Sequence, residues 1–391
     1  MSTFEFTRYL YEKEEVIYSL ILSILQKKEE ESIFWAIELY ESGFEQELYN
    51  VIWNIYEDFY ASLNLSFEHL LLKKIHTMKN EKNPNSLLWI IKNLFLKPSN
   101  LDTFSLTKLQ NEFEIEKPEE TSSSLLENLL ENKDFLSITS ILLETWIQKP
   151  LDEFEKQFQN VLNFYENKAF FPKKKPQSFM KVWQTTKKLL ESIKIPWNPQ
   201  KLLLTRILYF QSLEAKLKIG KTLTLKTPDE EIQKQLHQYK TLEVDLSLQE
   251  GKCISQLPAY RILPKARIYT IHPDVSLFPL KRDQPNNNMK EAYFYHWLYY
   301  VSFSPIWKKR IELYQGTINH FKKKIDFTNE DQEEEFYKRF GYEPDEQSQE
   351  CHNKSIQPLI KTTWREWFEK EYQKPKQNKL YTIPNEFLSH F

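Results

Sequence analysis

At 391 residues and 40% hydrophobic composition, the chain can bury the cores of two or three domains of ordinary size, which excludes disorder as its default state. Five glycines, where average usage would place roughly 27, are too few for a many-turned β protein, because glycine supplies the positive φ of tight hairpins and phosphate loops. The net charge of −2 conceals a division: residues 1–167 carry 15 basic and 29 acidic side chains, a balance of −14, whereas residues 168–226 carry 14 and 2, a balance of +12.

The first periodic segment, 14–28, sets Val16, Ile17, Leu20, Ile21 and Ile24 at helical spacing. Ser32 is expected to cap a second helix through Ile33, Phe34, Ile37 and Tyr40, with Gly43 as a left-handed terminator. A third, over 44–61, is apolar on two adjoining stripes, and Glu47, Asn50, Asn54 and Glu57 are expected to hold its narrow wet face. Ser32 to Asn64 carries nine aromatic residues and six acidic ones but no Lys or Arg. A surface that stacks nucleic-acid bases needs cations among its rings, so this band reads as core. Helices near 66–79 and 86–96 follow, and residues 97–122 read as a polar linker. Helical periodicity resumes at 123–132, 134–148 and 151–167.

FFPKKKPQS, 170–178, marks a boundary at the point where the charge changes sign, and helices near 178–195 and 199–218 come next. KTLTLK (221–226) and TLEVDLSLQ (241–249) then alternate apolar and polar residues with the period of half-buried strands. The segment between them is a helix capped by Thr227 with Pro228 in its first turn, and ARIYTIH (266–272) offers a third strand. The C-terminal part is helical again: 328–341 has an acidic first turn, Lys338 and Arg339 in its last turn and Gly341 as terminator, and 363–372 is another helix. These elements predict a mainly α protein, a helical bundle or HEAT-like helical stack with a small α+β insertion. They divide into an acidic helical region (1–96), a linker (97–122), a helical region (123–167), a basic helical region (168–218), an α+β subdomain (219–281) and a C-terminal helical region (282–391).

No motif specifies a reaction or a cofactor. Gly220-Lys221-Thr222 ends like a phosphate loop but lacks the earlier glycine, since position 215 is Ala. His272-Pro273-Asp274 spells the tripeptide of J domains without their flanking helices, and a turn in which Asp274 bonds its own backbone is the simpler reading. Cys351 and His352 are adjacent and so diverge on a helix, which makes them poor metal partners. Two cysteines, Cys253 and Cys351, fit a reducing compartment. The acidic N-terminus does not read as a signal peptide. The longest uncharged run, 292–307, is too short for a spanning helix; eight of its sixteen residues are aromatic and it is expected to be core.

The basic block carries the functional expectation. Lys173, Lys174 and Lys175 precede a helix in which Lys181, Gln184 and Lys188 share one face and Phe179, Val182, Trp183, Leu190 and Ile193 another. With Lys187, Lys194, Lys201 and Arg206 these lysines form a candidate contact for nucleic acid or another polyanion in a non-enzymatic binding or scaffolding protein. Two alternatives stand beside it. The block can dock on the acidic N-terminal region, giving a protein-interaction scaffold with internally paired charges, or the chain is an enzyme with His272 and Asp274, or Cys351 and His352, as its nominees.

Three stretches, 33–64, 299–307 and 334–347, resemble an uncharacterised protein family of nucleocytoplasmic large DNA viruses. The resemblance implies an intracellular setting, in host cytoplasm, viral factory or virion, and brings no catalytic motif.

Overall fold

The computed structural model describes residues 4–112, 123–145, 151–171, 176–220, 224–226, 229–240, 257–372, 378–381 and 383. Nineteen α-helices and one two-stranded antiparallel sheet occur among them, so the protein is mainly α, as the periodicity predicts. The chain forms two compact units. Unit 1 comprises Met1–Leu48, Asn83–Lys92 and Lys226–Thr363; unit 2 comprises Tyr49–Lys82, Asn93–Leu225 and Trp364–Phe391.

In unit 1, Lys13–Leu25 packs along Glu29–Glu41, the two helices joined by three residues with Lys27 at φ +59°. Ser32 is not the cap of the second helix. Glu29, Glu30 and Glu31 precede it in the first turn, where negative charge opposes the helix dipole, and the Ser32 hydroxyl bonds back to the Lys28 carbonyl at 2.7 Å. Gly43 does end this helix at φ +88°, and a Cβ there would lie 2.6 Å from Pro305 Cβ, so only glycine satisfies both the conformation and the approach. The helix expected over 328–341 runs Glu330–Phe340 and is capped by Asn329, whose side chain accepts from the Gln332 N–H at 2.9 Å.

The aromatic runs are interior, as expected. Phe34, Trp35, Trp53, Tyr56 and Tyr60 of the first, and Tyr293, Trp297 and Trp307 of the second, are buried, whereas Tyr295 is 76% exposed.

Unit 2 is built around Pro199–Glu214. Asn198 caps it by accepting from the N–H groups of Gln200 and Lys201, Pro199 presets the first turn, and Leu202, Leu203, Leu204, Thr205, Arg206, Ile207, Leu208, Phe210 and Gln211 are all buried. A helix buried on every side needs neighbours all round. Leu151–Glu166 and Asp102–Glu112 pack against it, and Pro176–Ile193 packs on Glu68–Glu81 and on Leu151–Glu166.

Several local expectations are corrected. The linker expected over 97–122 holds the helix Asp102–Glu112, while 113–122 lie outside the described residues. Buried Asp102 starts this helix and accepts the backbone N–H groups of Leu380 and Tyr381 at 2.9 and 3.1 Å; burial pushes its carboxyl up to about 6. Of the expected βαβ unit, the helix Asp229–Lys240 is present, but 224–226 and 267–272 form no strand; 221–223, the cap residues 227–228 and 241–256 lie outside the described residues. The Leu225 backbone N–H and C=O are instead taken by the Asn93 side chain at 2.9 and 3.4 Å, so an amide stands where a strand partner would. The sheet lies elsewhere, pairing Thr317–Asn319 with Lys324–Asp326.

Candidate functional site

The candidate polyanion residues that are described in unit 2 divide between exposed and ion-paired positions. Lys173, Lys174 and Lys175 lie outside the described residues. Lys181 and Lys188 on Pro176–Ile193 are exposed and make no ion pair within unit 2's described residues, and Lys194, just past its end, is exposed. Lys187 stands 3.6 Å from Glu155. The remaining two do not face solvent as a polyanion contact requires. Lys201 meets Asp58 at 2.7 Å, and Arg206 is 3% exposed with its terminal nitrogen 2.7 Å from both carboxylate oxygens of Glu68. Burial alone would pull the Lys201 amine down, but Asp58 and Glu57 more than offset it and hold it above its ordinary value.

The Glu68 carboxylate is fully enclosed and saturated. Beyond the guanidinium, Thr186 donates its hydroxyl to one oxygen at 3.1 Å, and the Tyr56 hydroxyl, shared with the Asn64 carbonyl at 3.2 Å, reaches the other at 3.4 Å. Burial, and then the negative charge of Glu68, push the Tyr56 phenol well up, so it stays a donor. Glu68, Arg206, Thr186 and Tyr56 come from four helices, so this buried cluster ties those four together. A cavity of about 370 Å³ opens beside it, walled by Phe158, Phe179, Val182, Trp183 and Tyr209. The recess is apolar and charge-balanced, which suits an uncharged ligand rather than proton transfer, because the one carboxylate in its wall already accepts four contacts.

Glu57 is the second departure from expectation. Placed on the wet face by spacing, it is 2% exposed, and its Oε1 has no hydrogen-bond partner among the described residues. Burial pushes its carboxyl up to about 8 against the pull of Lys201. An unfolded glutamate titrates near 4.5, so between these values the folded chain holds a proton that the unfolded chain has released. Stability therefore falls as pH rises through that window, and the loss is complete above about 8. Glu57→Gln removes the titration. Its stability advantage over the wild type is expected to grow from near zero at acidic pH to as much as about 5 kcal/mol in mild alkali. Urea midpoints of both proteins across that range check it; a difference that does not change with pH refutes the assignment.

The enzyme nominees do not form a constellation. The His272 ring accepts the Asp274 N–H at Nδ1 (3.2 Å), so Nε2 carries the proton and donates to Gln26 at 3.0 Å. Histidine, not aspartate, thus caps the turn Pro273–Leu277, and Asp274 accepts from the Thr362 hydroxyl at 3.0 Å. His352 donates to the Pro344 carbonyl at 2.6 Å, whereas buried Cys351 faces Arg267. Among the described residues no three His, Cys, Asp or Glu side chains gather to hold a metal ion, and no helix is long and apolar enough to cross a membrane. Set against protein-family models, curated proteins and solved structures, the chain matches none of them.

Proposed function

We propose that this chain is a non-enzymatic scaffolding protein whose opposite charges are paired within its own helices. The observation that carries this reading is the Arg206–Glu68 pair, because Arg206 is the sole arginine of the basic block and is spent in the interior. The same habit recurs in each unit: Lys168 with Glu131 at 3.2 Å in unit 2, and Arg8 with Glu38 at 2.8 Å and Arg282 with Glu15 at 2.7 Å in unit 1. In three of these four pairs the acid precedes the base, Arg8–Glu38 being the exception, and the charge division is read as an assembly code for the helices. We extend this reading, on the resemblance of 33–64, 299–307 and 334–347 to a family of large DNA viruses, to a scaffold that meets a protein partner in host cytoplasm, viral factory or virion.

A contact with nucleic acid or another polyanion is the second reading, favoured by the exposure of Lys181 and Lys188. A salt titration separates the two. With no more than about three phosphates neutralised, affinity for duplex DNA drops by at most about fortyfold between about 50 and 200 mM salt. A drop of about three decades would require about six cations acting together, and would overturn the scaffold reading in favour of the polyanion one.

A further inference from the structure

The ribbon that follows Pro305–Leu313 in unit 1 is anchored at its base and, through His320, which lies 3.2 Å from the Tyr299 hydroxyl and stacks on Phe303, at the end of its first strand; only Phe321 and the lysines after it stand clear. Two-stranded hairpins are marginal alone, so the anchoring matters. The Gly316 N–H donates to the Ile311 carbonyl at 3.0 Å, and a Cβ on Gly316 would lie 2.7 Å from Ile311 and 2.8 Å from Ile325. Glycine lets the ribbon close on that helix while Ile325 is buried beneath it. Thr317 and Thr328 donate their hydroxyls to the Asp326 and Gln315 carbonyls, both at 3.1 Å. At the other end Asn319 accepts from the Lys322 N–H at 3.0 Å and donates to Asp326 at 2.7 Å, and Lys323 turns the chain at φ +48°.

At the apex of this stalk Phe321 is 95% exposed. Its ring touches no other ring among the described residues, and nothing in closing the turn requires it, since tight turns favour Gly, Asn, Asp, Ser and Pro. Lys322, Lys323 and Lys324 follow it and are all exposed. Lys324 pairs with Asp326 at 2.6 Å, while Lys322 and Lys323 make no ion pair among the described residues. An exposed apolar ring followed by two exposed lysines that make no ion pair among the described residues, at the turn of an anchored ribbon, complements a surface that is negative outside and apolar beneath.

We propose that the 321–323 apex docks the protein on an anionic membrane surface, with Phe321 entering the boundary between headgroups and acyl chains and Lys322 and Lys323 on acidic headgroups. A nucleic-acid strand fits less well, because stacking platforms lay several rings along a cationic groove, whereas this tip is one ring wide. Each lysine near an acidic leaflet is worth about fivefold in partition, so the attachment is weak and reversible.

Sedimentation of the full-length protein with vesicles tests this. Binding is expected to vesicles of phosphatidylcholine mixed with phosphatidylserine and not to phosphatidylcholine alone. Phe321→Ser should lower the partition about tenfold, and Lys322→Gln with Lys323→Gln about 25-fold. These side chains support no packing, so the variants should keep the wild-type circular dichroism. Tyr295→Ser, an exposed aromatic elsewhere in unit 1, should leave partition unchanged. Failure of the wild type to bind, equal binding to uncharged vesicles, or indifference to Phe321→Ser each overturns the proposal. Retention on a single-stranded oligonucleotide that depends on Phe321, without vesicle binding, overturns it in favour of nucleic acid.

Discussion

Arg206→Ala is expected to cost about 3–5 kcal/mol, a large part of the stability of a typical domain. The loss does not measure the strength of the ion pair. Charge removed from water repays its desolvation only through good geometry, and here Glu68 sits fully buried and receives two contacts of 2.7 Å from one guanidinium nitrogen. Take the guanidinium away and the carboxylate keeps only two hydroxyl donors, Thr186 and Tyr56, in an apolar interior. The double change Arg206→Met with Glu68→Met should recover most of the deficit, since an apolar pair of similar volume leaves no stranded charge. Urea unfolding gives both numbers, and amide exchange in Glu68–Glu81 and Pro199–Glu214 localises the effect to unit 2. If the double variant is as damaged as the single one, the cluster matters for its shape and not for its charge balance.

That cluster shows what the sequence displays and what it hides. The stretch LLLTRILYF, 202–210, is apolar round the full circumference of a helix, which marks a buried helix whatever the charge of its segment. Counting lysines and arginines by segment averages this signal away, and so Arg206 entered the candidate surface. Its partner Glu68 lies 138 residues earlier, and nothing local in either position announces the other. Signals confined to a few residues were legible: the Gly43 terminator, the acidic first turn of Glu330–Phe340 and the aromatic cores depend on neighbours within a turn or two. Glu57 failed for the opposite reason. Three polar residues share its face, but whether that face is wet is decided by distant helices that periodicity does not see. At 224–226, the described part of KTLTLK, the strand rhythm did not give a strand, because alternation fixes which side chains share a face, while a sheet also needs a second backbone, and at Leu225 an Asn93 amide takes the N–H and C=O.

In unit 1 the largest effect is expected at Arg267, which lies in a stretch whose alternation suggested a strand. Its side chain is fully buried and makes no ion pair with a carboxylate among the described residues. The guanidinium spends its donors on backbone instead: Nε to the Tyr9 carbonyl at 2.9 Å, and the two terminal nitrogens to Cys351 O at 3.0 Å and Leu10 O at 3.3 Å. Its flat faces lie near the rings of Tyr11 and Tyr293, with centroids 5.6 and 5.3 Å away. The arrangement explains how a left-handed residue, Leu10 at φ +59°, is tolerated inside the unit, because its carbonyl has a charged donor to meet. Arg267→Ala orphans three buried carbonyls at about 1–3 kcal/mol each, partly relieved by entering water, for a net cost of about 3–5 kcal/mol. Arg267→Lys is the sharper test. Lysine keeps the charge but offers one compact ammonium in place of a planar fork, so it cannot span three carbonyls and loses the stacking on both rings, and about 2 kcal/mol should still be lost. Denaturant midpoints of the two variants decide the matter. A lysine variant as stable as the wild type would mean that positive charge alone holds the N-terminal arm, and that the fork geometry contributes nothing.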